Sequence, residues 1–160
     1  MKIGVLSDTH LKKVDNKLRR IAEDYFKDVD IIVHAGDIVS GEVLEYLKQF
    51  KLQAVRGNMD FPEVQQALPD KKIIELAGHK IGIIHGWGAP FGLEKKIIKL
   101  FDNVQCIIYG HTHKAFNGII DGVLFFNPGS PTDRFFSRRN TIGVLEITPQ
   151  EIKGKIIDIK

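Results

Sequence analysis

The sequence holds a single cysteine, Cys106, among 160 residues. One thiol excludes a disulfide within the chain and any zinc site built from several thiolates. Cys106 flanks an apolar run and reads as a small packed hydrophobe. No apolar run is long enough to cross a bilayer, so no membrane partner is expected. The opening stretch, Met1 to Asp8, has one lysine and a short apolar run, without the longer apolar segment of a secretory leader. The expected location is therefore cytoplasmic. Charge is nearly balanced: 23 Lys+Arg against 20 Asp+Glu leaves +3. So small an excess names no nucleic-acid partner. Repeats and low-complexity segments are also missing. At 43% hydrophobic and 27% charged residues, the chain has the make-up of a packed globule rather than a disordered one. Its length and the lack of any linker suit one domain over residues 1–160.

The first half alternates strand and helix patterns. Lys2 to Ser7 and Ile31 to Val33 read as buried strands, and Gln53 to Arg56 as a weaker one. Asp15 is placed to cap a helix with Leu18, Ile21, Ala22, Tyr25 and Phe26 on one stripe. Ser40 is placed to cap a second, with Val43, Leu44 and Leu47 inward. This order implies parallel strands joined by right-handed crossovers. The second half is richer in strands. Gly78-His79 reads as a hairpin turn between Lys72 to Leu76 and Lys80 to Ile84. Leu93 to Phe101 reads as a helix and Gln105 to Tyr109 as a buried strand. Asp121-Gly122 is the strongest hairpin signal, and Thr141 to Ile147 with Glu151 to Ile159 forms a last hairpin. The fold class expected is α/β, with two mixed sheets and outer helices.

What ends these strands is informative. Five of them run into Asp, His or Asn, usually beside a glycine: Asp8-Thr9-His10, Gly36-Asp37, Gly57-Asn58, His85-Gly86 and Gly110-His111-Thr112-His113. In open α/β sheets, ligands bind beyond the carboxyl ends of strands. Asp8 and His10 are two apart, as are His111 and His113. In extended backbone, such pairs point to one side. The set Asp8, His10, Asp37, Asn58, His85, His111 and His113 offers only oxygen and nitrogen donors. Seven donors exceed one tetrahedral ion and suit two ions sharing a ligand. Left unsatisfied and buried, each such group costs about 1–3 kcal/mol, which a domain stable by about 5–15 kcal/mol does not tolerate several times over. Singly, Asp8 is also placed to cap a helix and Asp37 to serve a turn.

These five blocks, in this order, closely resemble the calcineurin-like metallophosphoesterases. Length and Asn127-Pro128-Gly129-Ser130 look like the family's small phosphodiesterase branch. The resemblance implies a four-layer α/β/β/α sandwich and two divalent metal ions. By that resemblance Asp8, His10, Asp37 and His113 hold one ion, and Asn58, His85, His111 and the bridging Asp37 the other. Manganese leads, with nickel, iron, cobalt and zinc compatible with the same donors. The implied reaction is hydrolysis of a small or nucleotide-like phosphoester by metal-activated water, with Asn58 also contacting substrate. One departure stands out. Many members continue Gly-Asn-His, and that histidine assists the leaving group; here the position is Met59, which has no proton to give. Diesters or aryl esters with good leaving groups are therefore expected to react better than alkyl monoesters with poor ones. The alternative is a weakly catalytic or non-catalytic interaction scaffold resembling the retromer metallophosphoesterase-like subunit, whose pattern has lost part of the ligand set. A nuclease like the family's repair members fits less well, because those carry extra domains and the missing histidine.

Remaining residues are given plainer roles. His34 reads as a buried, hydrogen-bonded histidine facing the other side of its strand, and His79 as a solvated turn residue. Gly86 to Gly92 lacks dinucleotide-loop spacing. Trp87 is read as shielding the site. Asp60 is a poor substitute for the missing acid. The basic, aromatic stretch Arg134 to Arg139 has arginines suited to contact phosphate or a nucleotide, but reads rather as a solvated loop or a subunit contact through Phe135 and Phe136, with a homo-oligomer left open. Lys17, Arg19 and Arg20 read as a solvated helix face.

Overall fold

In the computed structural model, residues 1–159 are described. Strand β1 (Lys2–Leu6) leads to helix α1 (Asn16–Arg20), capped by the Asp15 side chain on the Leu18 amide. The helix widens into one π-helical stretch, Ile21–Tyr25. Strand β2 (Ile31–Ala35), helix α2 (Gly41–Leu47) and strand β3 (Leu52–Val55) follow, with Ser40 capping α2. A short helix α3 (Pro62–Ala67) comes next; it escaped the sequence reading, although proline at its first position was the available signal.

The second half opens with hairpin β4 (Lys71–Leu76) and β5 (His79–Ile84). Its turn is Ala77-Gly78, not Gly78-His79. Both turn residues have positive φ, 49° and 82°, as a two-residue hairpin turn demands, and His79 is already paired with Leu76. His79 Nε2 donates to Thr148 O (2.8 Å) rather than lying free. The helix expected over Leu93 to Phe101 is α4 (Leu93–Ile97) tightening into a 3-10 turn at Ile98–Leu100. Strands β6 (Cys106–Ile108), β7 (Phe116–Ile120), β8 (Val123–Asn127), β9 (Thr141–Ile147) and β10 (Ile152–Asp158) complete the chain.

The strands form two five-stranded sheets, ordered β10-β9-β1-β2-β3 and β4-β5-β6-β8-β7. β1, β2 and β3 are parallel, as are β5, β6 and β8. Strand alternation sorts side chains into three apolar layers. Ile3, Val5 and Val33 meet Ile81, Ile83 and Ile108 between the sheets. Leu6, Ile32 and Ile142 pack outward against α1, α2 and α3. Ile107 and Phe125 pack outward against α4 through Leu93 and Ile97. The architecture is the expected four-layer α/β/β/α sandwich. Among the described residues, no helix is long and apolar enough to cross a membrane.

The sheets interlock through one ring. Phe126 of β8 lies between Gly143 of β9 and Gly154 of β10; a Cβ at Gly154 would sit 2.6 Å from its ring, and one at Gly143 would collide outright. Two glycines therefore make room in one sheet for a side chain of the other. We expect Phe126→Ala to cost about 3–5 kcal/mol. Gly143→Ala should cost about 1–3 kcal/mol by overpacking. Urea unfolding midpoints measure both, and a neutral Gly143→Ala would show the ring to be displaceable.

Candidate metal centre

The carboxyl ends of β1, β2, β3, β5 and β6 converge, and all seven residues singled out by the sequence lie in the segments that follow them. The local backbone differs from the expectation. Asp8, His10, Asp37, His111 and His113 all have positive φ, between 46° and 71°. The i, i+2 pairs therefore converge through left-handed bends, not through extended strand. The reason is steric. After each strand the chain must reverse within two residues, and Asp and His tolerate that region better than most side chains. Loop-to-loop bonds hold the bends: Asp8 N to Gly36 O and His10 N to Asp37 O, both 3.0 Å, and Gly110 N to His85 O, 3.1 Å. Gly57 and Gly110 permit close approach. A Cβ at Gly57 would strike Asp37, and one at Gly110 would strike Ser7 and Asp8.

Asp8, Asp37 and His85 each have one atom anchored and another aimed at the centre. Asp8 Oδ2 accepts from Ser7 Oγ (2.5 Å) and His111 N (3.0 Å), while its Oδ1 is buried with no hydrogen-bond partner. Asp37 Oδ1 accepts from Met59 N (2.8 Å), leaving Oδ2 aimed inward. His85 Nδ1 lies 2.8 Å from Ala35 O; a carbonyl only accepts, so this nitrogen carries a proton and Nε2 faces the centre.

Two groups result. Asp8 Oδ1 is 3.3 Å from His113 Nε2 and 3.8 Å from His10 Nε2, and His10 Nε2 is 3.4 Å from Asp37 Oδ2. The two imidazole nitrogens of His10 and His113 face each other at 3.2 Å. On the other side, His85 Nε2 is 3.2 Å from Asp37 Oδ2 and 3.1 Å from Asn58 Oδ1. Asp8 Oδ1 lies 3.8 Å from the same nitrogen, so this carboxylate borders both groups, a sharing the sequence had assigned to Asp37 alone. His111 is the outlying member. Its Nε2 sits on Gly88 O (2.8 Å), and its ring stacks edge-on to His85 at 5.3 Å. The same carbonyl logic puts a proton on Nε2 and leaves the Nδ1 lone pair free.

The electrostatics match this crowding. Burial alone would push both carboxyls up. For Asp8 the imidazoles of His10, His113 and His85 outweigh it and hold the acid well below its usual range. For Asp37, His85 and the Met59 amide do the same. Burial opposes charge on His85, yet Asp37 and Asp8 win and raise it to about 9. His113 is raised likewise by Asp8 and Asp133 against its burial. The arrangement thus demands positive charge at its centre. A carboxylate oxygen without a hydrogen-bond partner, imidazole nitrogens gathered around it and an all-oxygen-and-nitrogen donor set fit divalent cations.

Several supporting residues were not legible in the sequence. Asp133 Oδ1 lies 3.6 Å from His113 Nδ1, an ion-pair distance at the ring atom facing away from the centre. Asn127 Nδ2 donates to Gly110 O (3.0 Å), and Ser130 Oγ donates to Asp8 O (2.7 Å). The Asn-Pro-Gly-Ser segment therefore ties the β1 and β6 loops together. His34 is buried neutral, its pKa lowered to about 3 by burial, and its Nε2 meets Thr9 Oγ1 at 3.1 Å between the first two candidates. Asp60 does not enter the centre at all. Its carboxylate is buried and accepts from Val39 N (2.6 Å) and Gly57 N (2.7 Å). Trp87 is 48% exposed and lines the same cavity as Asn58 and His85. The basic-aromatic loop is not simply solvated: Phe136 packs edge-on against His113 at 5.3 Å.

The profile of the calcineurin-like phosphoesterase superfamily domain matches residues 1–150. The chain belongs to this family. It is similar to the probable metallophosphoesterase MJ0623 of Methanocaldococcus jannaschii, 42% identical over 136 residues, covering 82% of this chain and 69% of that protein. It is also similar to phosphodiesterase MJ0936 of the same organism, 30% identical over 99% of this chain and all of that one. Among solved structures, Chaetomium thermophilum Vps29 superposes with a TM-score of 0.81 over 99% of this chain and 86% of its own; at 18% identity it shares the fold. As a calcineurin-like phosphoesterase, the chain is a phosphoric ester hydrolase of a metal-dependent family.

Asp60 is the brace on which the Asn58–Met59 segment rests. Asp60→Ala strands two buried amides at about 1–3 kcal/mol each, so we expect a loss of about 2–6 kcal/mol in urea unfolding of the metal-free protein. An unchanged midpoint would show that solvent reaches those amides.

Proposed function

We propose that this phosphoesterase is a dinuclear, metal-dependent phosphodiesterase acting on a small or nucleotide-like phosphoester. The observation that carries the reading is the pair of donor groups sharing Asp8 and Asp37, with every aimed atom an oxygen or an imidazole nitrogen. One ion would be held by Asp8, His10, Asp37 and His113. The second would be held by Asp37, His85, Asn58 and, through Nδ1, His111. Manganese leads among the metals these donors admit. Divalent ions so placed supply Lewis acidity at the phosphate and lower the pKa of water toward neutrality.

The chain's own residues do the rest. The anchored oxygens of Asp8 and Asp37 keep the carboxylates from swinging away as substrate enters. Asn58 presents an amide whose N–H groups can donate to a phosphate oxygen while its Oδ1 faces inward. Water adds across one P–O bond, and the departing oxygen takes its proton from solvent. Met59 cannot supply that proton; its side chain is 55% exposed and borders the same cavity as Asp37, Asn58 and His111. This favours esters whose leaving group departs without help. The scaffold alternative gains nothing from a donor set in which each position is filled.

Metal-stripped protein should hydrolyse bis-p-nitrophenyl phosphate only after a divalent ion is restored, and faster than p-nitrophenyl phosphate. Asp37→Ala should fall to background while remaining folded by circular dichroism. Stoichiometric metal binding without turnover of either ester would favour the scaffold. On an alkyl phosphomonoester, whose leaving group needs a proton, Met59→His should raise hydrolysis by about 10²-fold, the lower end of what a positioned general acid contributes, while p-nitrophenyl phosphate should change little. No gain would mean that the leaving group departs on another side.

A further inference from the structure

Two cavities flank the candidate metal centre and meet at Asn58. They differ in chemistry. One, about 590 Å³, is walled by Arg56, Asp70 and Lys71 beside Trp87, with Arg56 Nε paired to Asp70 at 2.6 Å. The other, about 720 Å³, reaches His10, Asp37 and His113; Leu11, Met59, Phe135 and Phe136 form an apolar part of its wall, beside the charged Asp15, Lys17 and Arg134. Both volumes suit a small-molecule ligand.

The second cavity has an unusual wall. Phe135 is 91% exposed and Phe136 is 70% exposed, side by side at the mouth of a charged centre. Leaving two phenyl rings in water forgoes burial that the fold elsewhere secures. They are nevertheless not on a loose loop. The Asp133 carboxylate accepts from the amides of Phe135 (3.0 Å), Phe136 (2.9 Å) and Ser137, capping the turn that presents them. Asn140 Nδ2 closes the turn by donating to Asp133 O at 2.7 Å. Phe136 is further oriented by its edge-on contact with His113, at 88° between ring planes. The same cavity is lined by Met59, whose thioether packs well against aromatic edges and adapts to their shape. An oriented Phe136 ring beside Phe135, with a polarizable thioether lining the same cavity, favours a planar aromatic guest over a flexible aliphatic one.

We propose that this cavity is a subsite for one aromatic arm of the phosphodiester substrate. The proposal rests on the phosphodiesterase reading and deepens it. A diester has two arms on one phosphorus, and the centre has two cavities. The aromatic arm lies against Phe135, Phe136 and Met59. The other arm faces the charged cavity of Arg56 and Lys71. The place of Phe135 and Phe136 in the function is thus recognition of substrate rather than contact between subunits.

Calorimetry on the metal-loaded protein tests this without requiring turnover. The probes are diphenyl phosphate, dimethyl phosphate and inorganic phosphate. Diphenyl phosphate should bind at least tenfold more tightly than dimethyl phosphate, within the range a shaped apolar pocket supplies. In Phe135→Ala/Phe136→Ala that preference should shrink to about twofold, with the affinity for inorganic phosphate unchanged. Both rings are exposed, so the urea midpoint should hold. Phe135→Leu/Phe136→Leu keeps apolar bulk without rings and should recover little of the preference. The proposal is overturned if the preference survives the double alanine variant, or if Trp87→Ala removes it instead. It is equally overturned if the double variant converts a dimer to a monomer in sedimentation while the preference stands. Failure of the parent reading looks different: wild-type protein would then show no metal-dependent hydrolysis of bis-p-nitrophenyl phosphate, whatever the calorimetry gives.

Discussion

Two carboxylates facing one buried point are the constraint around which this molecule is built. Asp8 and Asp37 are almost fully buried, and each keeps one oxygen on backbone or hydroxyl donors and turns the other inward. Like charges brought together out of water repel and lose hydration, so the arrangement stands only with positive charge between them. In the metal-free chain the imidazoles of His85 and His113 meet that demand, which is why both hold their protons more firmly than usual. Divalent cations meet it better, because they satisfy oxygens and ring nitrogens together. Binding of metal and integrity of the strand ends are thus one problem.

Solving it imposes strain on the backbone. Five of the seven candidate ligands sit in the left-handed region, at a cost of roughly 1–2 kcal/mol for each such residue. The surrounding loops are correspondingly over-determined. Backbone bonds join the β1 loop to the β2 loop and the β5 end to the β6 loop. Asn127 and Ser130 clamp the β6 and β1 loops from behind, and Asp60 holds the turn that carries Asn58. None of these three residues touches the centre directly. Their role is to make strained geometry the lowest available one.

The sandwich supplies the rigid frame. Two sheets whose parallel strands end at the same edge place loops from both sheets around one point. The Phe126 ring, inserted between Gly143 and Gly154, fixes how the sheets sit on each other. A shift of one sheet against the other would separate Asp8 and Asp37, carried by the first, from His85, His111 and His113, carried by the second. Packing far from the site therefore decides its geometry.

Much of this was legible in the sequence. Strand periodicity, the Asp15 and Ser40 caps and the Asp121-Gly122 turn are local signals with local causes, and each element formed where its pattern predicted. The polar residues closing five strands marked the site, since strand ends in α/β sheets meet at a common edge. Other features have no local signature. The left-handed bends that aim Asp8, His10, His111 and His113 come from contacts between loops, so extended-strand spacing marks the right residues but not their backbone geometry. Asp60 and Asp133 look alike in sequence, as acidic residues in turns. One became a buried brace and the other the cap of an aromatic loop, because their carboxylates meet different backbone amides in the folded chain. Phe135 and Phe136 read as surface because their own neighbours are polar. Only the return of that loop over His113, more than twenty residues earlier in the chain, brought them to the metal centre. The sequence by itself determined which chemistry is present and which elements carry it, because residue type and short-range periodicity are local properties. Which oxygen is anchored, which ring is aimed and what walls the cavity were decided by tertiary structure, because those depend on atoms distant in the chain meeting at one point.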